Sequence, residues 1–137
     1  MSEELIARYK TVHQAIVNNL DQVQVLSRSY AQAKPWIRAL RERLLAHLSK
    51  QDDDFFDDLR KVHQYDLHAL KMIEFLSKDV RNTKVKYLIF FEKYSGEMGD
   101  FGSKAFPKDL MTFSDDIIGR LRIEEEYMLP LFAQVPD

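Results

Sequence analysis

Cysteine is absent from this chain of 137 residues. Without a thiol there is no disulfide framework and no thiolate nucleophile or metal ligand. The absence fits a reducing compartment. Glycine and proline are scarce, with four of each, so the chain has few places to turn sharply. A dominant charge sign is also lacking. Lysine and arginine number 20 against 22 acidic residues, a net charge of −2, too balanced to predict binding to nucleic acid or to a membrane surface. No apolar run approaches the ~20 residues needed to span a bilayer, and the start, M-S-E-E-L-I-A-R-Y-K, has none of the features of a signal peptide. There is no G-x-S-x-G elbow and no glycine-rich phosphate loop with its lysine behind a strand. The expectation is a cytoplasmic protein of one domain over residues 1–137, and not an enzyme. That length buries a core without disulfides.

What the chain does contain is helical periodicity. Leu5, Tyr9, Val12, Ile16, Leu20, Val23 and Tyr30 fall at spacings of three, four or seven and predict a helix over about 2–33. A second helix is expected to start near Pro35, with Trp36, Leu40, Leu44, Leu45 and Leu48 inward. It either stops at Gln51 or bends through the aspartates past Leu59. A third covers about 65–93, with Leu67, Leu70, Ile73, Leu76, Val80, Tyr87 and Phe91 inward and a break or kink near 81–83. A fourth runs from about Pro107 to Phe132, with Leu110, Phe113, Ile117, Leu121, Glu124 and Met128 on one face. The segment S-G-E-M-G-D-F-G, with Gly96, Gly99 and Gly102, reads as the loop before it. Four amphipathic helices with short links predict an all-α fold, an antiparallel up-down four-helix bundle.

Two stretches look like degenerate copies of one pattern, an acidic cluster running into large apolar residues. They are H-L-S-K-Q-D-D-D-F-F (47–56) and R-L-R-I-E-E-E-Y-M-L (120–129). Laid with His47 on Arg120, Gln51 falls on Glu124 and Phe56 on Leu129. His13 and His68 also open amphipathic runs. Histidine and glutamate one turn apart lie on one helix face and can reach one ion. His63 and His68, five apart, would stand about 140° apart on one helix and could not.

This arrangement resembles the hemerythrin-like (HHE) cation-binding domain, in which H-x-x-x-E recurs beside such acidic-apolar stretches. The resemblance implies a metal-binding or sensory bundle, with iron as the cofactor and His13, His47, His68 and Glu124 as ligands. The ligand positions depart from the motif. Gln51 stands where His47 calls for a carboxylate, and Arg120 where Glu124 calls for a histidine. Arginine brings a permanent positive charge and no electron pair.

The same residues are similar to a second family, the Rsd/AlgQ regulators of the bacterial primary sigma factor. Val12, His13, Ile16, Leu20, Gln24, Leu26 and Tyr30 match its first block, Leu44, Ser49 and Leu59 its second, and Arg120, Leu121, Ile123, Glu124 and Glu125 its third. Arginine at 120 is the residue that family leads one to expect. The resemblance implies an anti-sigma protein without a cofactor. It would bind the C-terminal domain of the primary sigma factor, and neither nucleic acid directly nor a membrane. His13, His47, His68, Arg120 and Glu124 would then form an internal polar network. Its partner carries a basic helix-turn-helix face. Asp52, Asp53, Asp54, Asp57, Asp58, Glu125 and Glu126, with Phe55 and Phe56 as apolar anchors, are the surface expected to meet it. The plainer alternative for the aspartates is a solvated helix end.

Overall fold

The computed structural model describes residues 2–95 and 104–135, and no strand occurs among them. The chain is all-helical there. α1 (Ser2–Val25) turns through 26–29 into α2 (Tyr30–Ser49), followed by the short α3 (Asp53–Val62) and the long α4 (Leu67–Tyr94). α5 (Phe106–Ile123) passes into a π-helical turn (Glu124–Met128) and ends in α6 (Leu129–Phe132). α1 packs on α2 and α5, and α4 packs on α2, α3 and α5. Contacts among the four longest helices therefore close into a ring. The core inside it is aliphatic and aromatic, from Ile16, Leu20 and Leu44 to Tyr87, Phe91 and Ile117.

Several boundaries differ from the sequence reading, each for a local reason. The first helix ends at Val25 rather than near 33, because Ser29 starts a new one. Its backbone is extended and its side chain accepts from Gln32 N–H, an N-cap that satisfies one of the orphan donors of the first turn. Tyr30 thus belongs to α2, and Pro35 lies inside that helix. There its missing N–H forfeits one i→i−4 bond. The inward face of α2 is carried by Ala33, Ile37, Leu40, Leu44 and Leu48, while Trp36 is exposed. The aspartate run neither continues α2 nor ends it. Asp52 accepts from Phe55 N–H and opens α3 as a separate helix. Acids at its first turn and Arg60 and Lys61 at its last both favour the helix dipole. Asp66 caps α4 in the same way, which leaves Leu67 exposed. No break occurs at 81–83, where Thr83 is buried within a continuous helix. Gly96, Gly99 and Gly102, read as a loop, and Pro136 lie outside the described residues.

The last helix is interrupted at the acidic cluster. Its six expected inward residues, Leu110, Phe113, Ile117, Leu121, Glu124 and Met128, are all buried. Between Glu124 and Met128 the backbone widens, and Leu129 N–H donates to Glu124 O, a bond spanning five residues. Pro130 follows at once. Its ring has no N–H and would crowd the carbonyl four residues earlier in an α-helix. The wider turn relieves that clash, and such turns recur where a helix carries a functional group.

Candidate metal centre

Glu124 is fully buried and central to a polar cluster that four separate helical segments build. Oε1 of its carboxylate meets His13 Nε2 of α1 at 2.8 Å and His47 Nε2 of α2 at 2.6 Å. Oε2 accepts from Arg120 Nε at 3.0 Å, one turn back on α5. The remaining nitrogens of Arg120 reach outward. Nη1 donates to Asp79 of α4 and Nη2 to Gln51 Oε1, just beyond α2. The guanidinium fork thus touches three oxygens from three parts of the chain, a geometry that lysine cannot supply. Tyr9 and Phe132 seal one side. The Tyr9 ring lies edge-on to His47 at 5.2 Å between centroids, and to Phe132 at 5.1 Å. Among the described residues, the buried Tyr87 hydroxyl beside this network has no hydrogen-bond partner. The Tyr87 side chain lines a polar cleft with Asp79 and Arg120.

The contacts favour particular protonation states. An ionised carboxylate only accepts, so each Nε2 facing Glu124 carries a proton. His13 Nδ1 in turn lies 3.1 Å from Glu125 Oε1, so His13 is held as the doubly protonated imidazolium between two carboxylates. Burial pushes the His13 pKa down. The hydrogen bonds and charges of Glu124 and Glu125 outweigh burial and raise it above the ordinary 6.5. Burial likewise pushes Glu124 up. Hydrogen bonds from the two histidines, with the charges of His47 and Arg120, override it and hold the carboxyl far below its ordinary 4.5. Burial first, and the negative charge of Glu124 second, hold the hydroxyls of Tyr9 and Tyr87 well above the usual tyrosine range.

These shifts give the metal-free protein a pH signature. The raised pKa of His13 contributes stability that is complete below about 6.5 and is lost as pH rises through the folded value. The lowered pKa of Glu124 contributes stability that is present above about 4.5 and is lost only as pH falls through its folded value. Urea unfolding of chelator-treated protein is therefore expected to give its highest midpoint between about pH 4.5 and 6.5, declining on the alkaline side. A midpoint still rising between pH 6.5 and 8 would contradict the imidazolium assignment.

The structure places the other sequence candidates as follows. His68 is exposed, in a groove with Lys71, Met72, Phe75 and Tyr127, and stands outside the buried cluster. It opens α4 at a register that turns it away. His63 is buried, but it caps α3 instead of sharing a helix with His68, and its Nε2 lies 3.1 Å from Leu131 O. Phe56 is a core side chain at 2 % exposure rather than an exposed anchor, and Phe55 is half-buried against Phe56 and Phe132. Asp52 is spent on its cap, Asp53 pairs with Arg81, and Asp57 with Arg60. Glu125 is engaged with His13. Asp54, Asp58 and Glu126 are exposed. Sequence reasoning missed Asp79 and Gln51 as partners of Arg120, and Tyr9 as the wall over His47.

The donor set suits a cation. Among the described residues, His13, His47 and Glu124 form the one group whose ligand atoms lie together, all within 4.8 Å of one another. Two imidazole nitrogens and one carboxylate oxygen are a common set for zinc and for non-haem iron(II). Donors about 2.1 Å from one tetrahedral ion stand about 3.4 Å apart, so each histidine need withdraw only a fraction of an ångström from Glu124, while ligand atoms now up to 4.8 Å apart draw in to that spacing. The residues therefore fit one ion. They do not fit two, because a buried guanidinium and an amide occupy the other side of Glu124.

No curated protein and no solved structure matches the chain. A family model described as the hemerythrin HHE cation binding domain matches residues 4–132, and of the two resemblances legible in the sequence it is this hemerythrin HHE family to which the chain belongs.

Proposed function

We propose that the protein is an antiparallel four-helix bundle that binds a single divalent transition-metal ion through His13, His47 and Glu124, with Arg120 as a fixed internal countercharge. The single observation that carries this reading is the convergence of His13 Nε2 and His47 Nε2 on one buried oxygen of Glu124. Iron(II) and zinc both suit that donor set. When bound, the ion supplies a Lewis acid and, if it is iron, a redox centre. The chain's own residues supply the rest. Tyr9 and Phe132 keep the histidines out of water, and Arg120 balances the carboxylate from the opposite side. Family membership supports cation binding. The departures at Gln51 and Arg120 restrict it to one ion.

The test is metal content. Protein purified without chelator, and protein titrated with iron(II) or zinc(II), should hold close to one ion per chain. The variant His47→Ala should hold none. Two ions per chain would refute the role of Arg120, and none would refute the reading.

A second reading keeps the anti-sigma role. Arg120 and Glu124 stand as that resemblance leads one to expect, and Asp54, Asp58 and Glu126 are exposed acids with no ion pair among the described residues. Calorimetric titration with the C-terminal domain of the primary sigma factor at moderate salt tests it. One-to-one binding of micromolar strength or better, weakened by Asp54→Lys with Asp58→Lys, supports the role. No detectable heat with that domain rejects it.

A further inference from the structure

Glu124 and Glu125 are neighbours in sequence, and both contact His13. Consecutive helical residues point in different directions around the axis, and here one of the two enters the core. Glu124 does, and meets Nε2 of the His13 ring at 2.8 Å. Glu125 stays at the rim with its side chain 50 % exposed, and meets Nδ1 at 3.1 Å. One dipeptide at the π turn thus grips both edges of one imidazole. The outer edge of that ring faces a groove between α1 and α5, with Lys10, Gln14, Ile118 and Arg122 around His13 and Glu125.

We infer that Glu125 is the positioning residue of His13. By accepting a hydrogen bond from Nδ1–H on the groove side, it fixes the tautomer and rotation of the ring so that Nε2 presents its electron pair to an ion shared with His47 and Glu124. The inference rests on the one-ion reading above. A histidine offers one nitrogen to a metal, and the hydrogen bond at the other decides which one is offered. An Nδ1–H held by a carboxylate also makes Nε2 the more basic donor. The location of Glu125 separates this role from a structural one. A half-exposed ion pair contributes at most about 1 kcal/mol to folding, whereas loss of an outer partner of a metal-bound histidine weakens metal binding about 10–100-fold.

The experiment is competition of zinc(II) between the protein and a chromophoric chelator, for the wild type, Glu125→Ala and Glu125→Gln. The alanine variant is expected to bind zinc about 10–100-fold more weakly. The glutamine variant, whose side-chain carbonyl still accepts from Nδ1–H, should stay within a few-fold of the wild type. Nitrogen-15 spectra of the zinc-loaded proteins should show His13 protonated at Nδ1 in the wild type and in Glu125→Gln. Urea unfolding of the metal-free alanine variant should differ from the wild type by no more than about 1 kcal/mol. If the alanine variant loses some stability, recovery of affinity in the glutamine variant still isolates the hydrogen bond. Equal zinc affinity in wild type and alanine variant overturns this inference and leaves the one-ion reading standing. A wild type that binds no zinc overturns both.

Discussion

Replacing Arg120 with methionine is expected to cost the metal-free protein about 3–5 kcal/mol of unfolding free energy. The residue is 3 % exposed, and three partners depend on its side chain. Methionine fills much of the volume, so the loss is electrostatic rather than a cavity effect. Asp79, partly exposed, can take up water in place of the guanidinium. Glu124 cannot, and it remains a buried anion with only the two histidines. Lysine at 120 should lose less than methionine, since it keeps the charge but not the fork that spans Glu124, Asp79 and Gln51. The double variant Arg120→Met with Glu124→Met should be far less destabilised than the sum of the two singles, because it removes charge and countercharge together. Urea unfolding at pH 7 with chelator present measures all four proteins. Simple additivity would mean that the pair does not act as a unit. The same variant carries a prediction of opposite sign for zinc. Removing a fixed positive charge one carboxylate away should tighten binding at His13, His47 and Glu124 in the fraction that is folded.

Much of this was legible in the sequence, and the missing parts have identifiable causes. The apolar face of the last helix, from Leu110 to Met128, follows from periodicity alone, because packing and spacing agree there. The boundary between α1 and α2 did not follow. Ser29 is an ordinary residue until its backbone turns extended, and Tyr30 continues the α1 stripe by coincidence of spacing. Proline at 35 then misled, since it marks helix starts more often than interiors. At the site, His13, His47 and Glu124 were named as ligands only through the hemerythrin resemblance, together with His68, which the structure leaves outside the cluster, and with two ligand positions departing from the motif at Gln51 and Arg120. Asp79 was not, because an aspartate on a half-exposed helix face looks like any solvated acid until the helix opposite is placed. Glu125 was read as surface, and half of its side chain is surface. Its carboxylate reaches the outer edge of His13 from the π turn, which periodicity does not encode. Asp79 with Arg120, and Glu125 with His13, are joined by tertiary contact without sequence spacing, and sequence reasoning left these pairs apart.

Replacing Glu124 with glutamine should cost comparable stability and abolish stoichiometric metal binding, and the two losses have separate causes. The amide keeps one acceptor oxygen, which can still face His13 Nε2 and His47 Nε2. Its NH2 group then stands where Oε2 accepted from Arg120 Nε, placing donor against donor at a contact of 3.0 Å. Arg120 becomes a buried cation with one anionic partner fewer, a loss of about 3–5 kcal/mol. For the ion, the only anionic ligand of the three is gone, and two imidazoles with a neutral amide are a poor set for iron or zinc. The strongest check is neither of these but His13 itself. Glu124 supplies the leading upward influences on its pKa, and burial opposes them. In the glutamine variant the His13 pKa should fall, with Glu125 alone left to hold it up. Titration of the His13 ring by NMR measures that directly, and the alkaline decline in stability expected for the wild type should flatten with it. A His13 pKa that stays high in Glu124→Gln would mean that Glu125 dominates the ring's charge, and that the buried carboxylate is a hydrogen-bond acceptor rather than the electrostatic centre of the site.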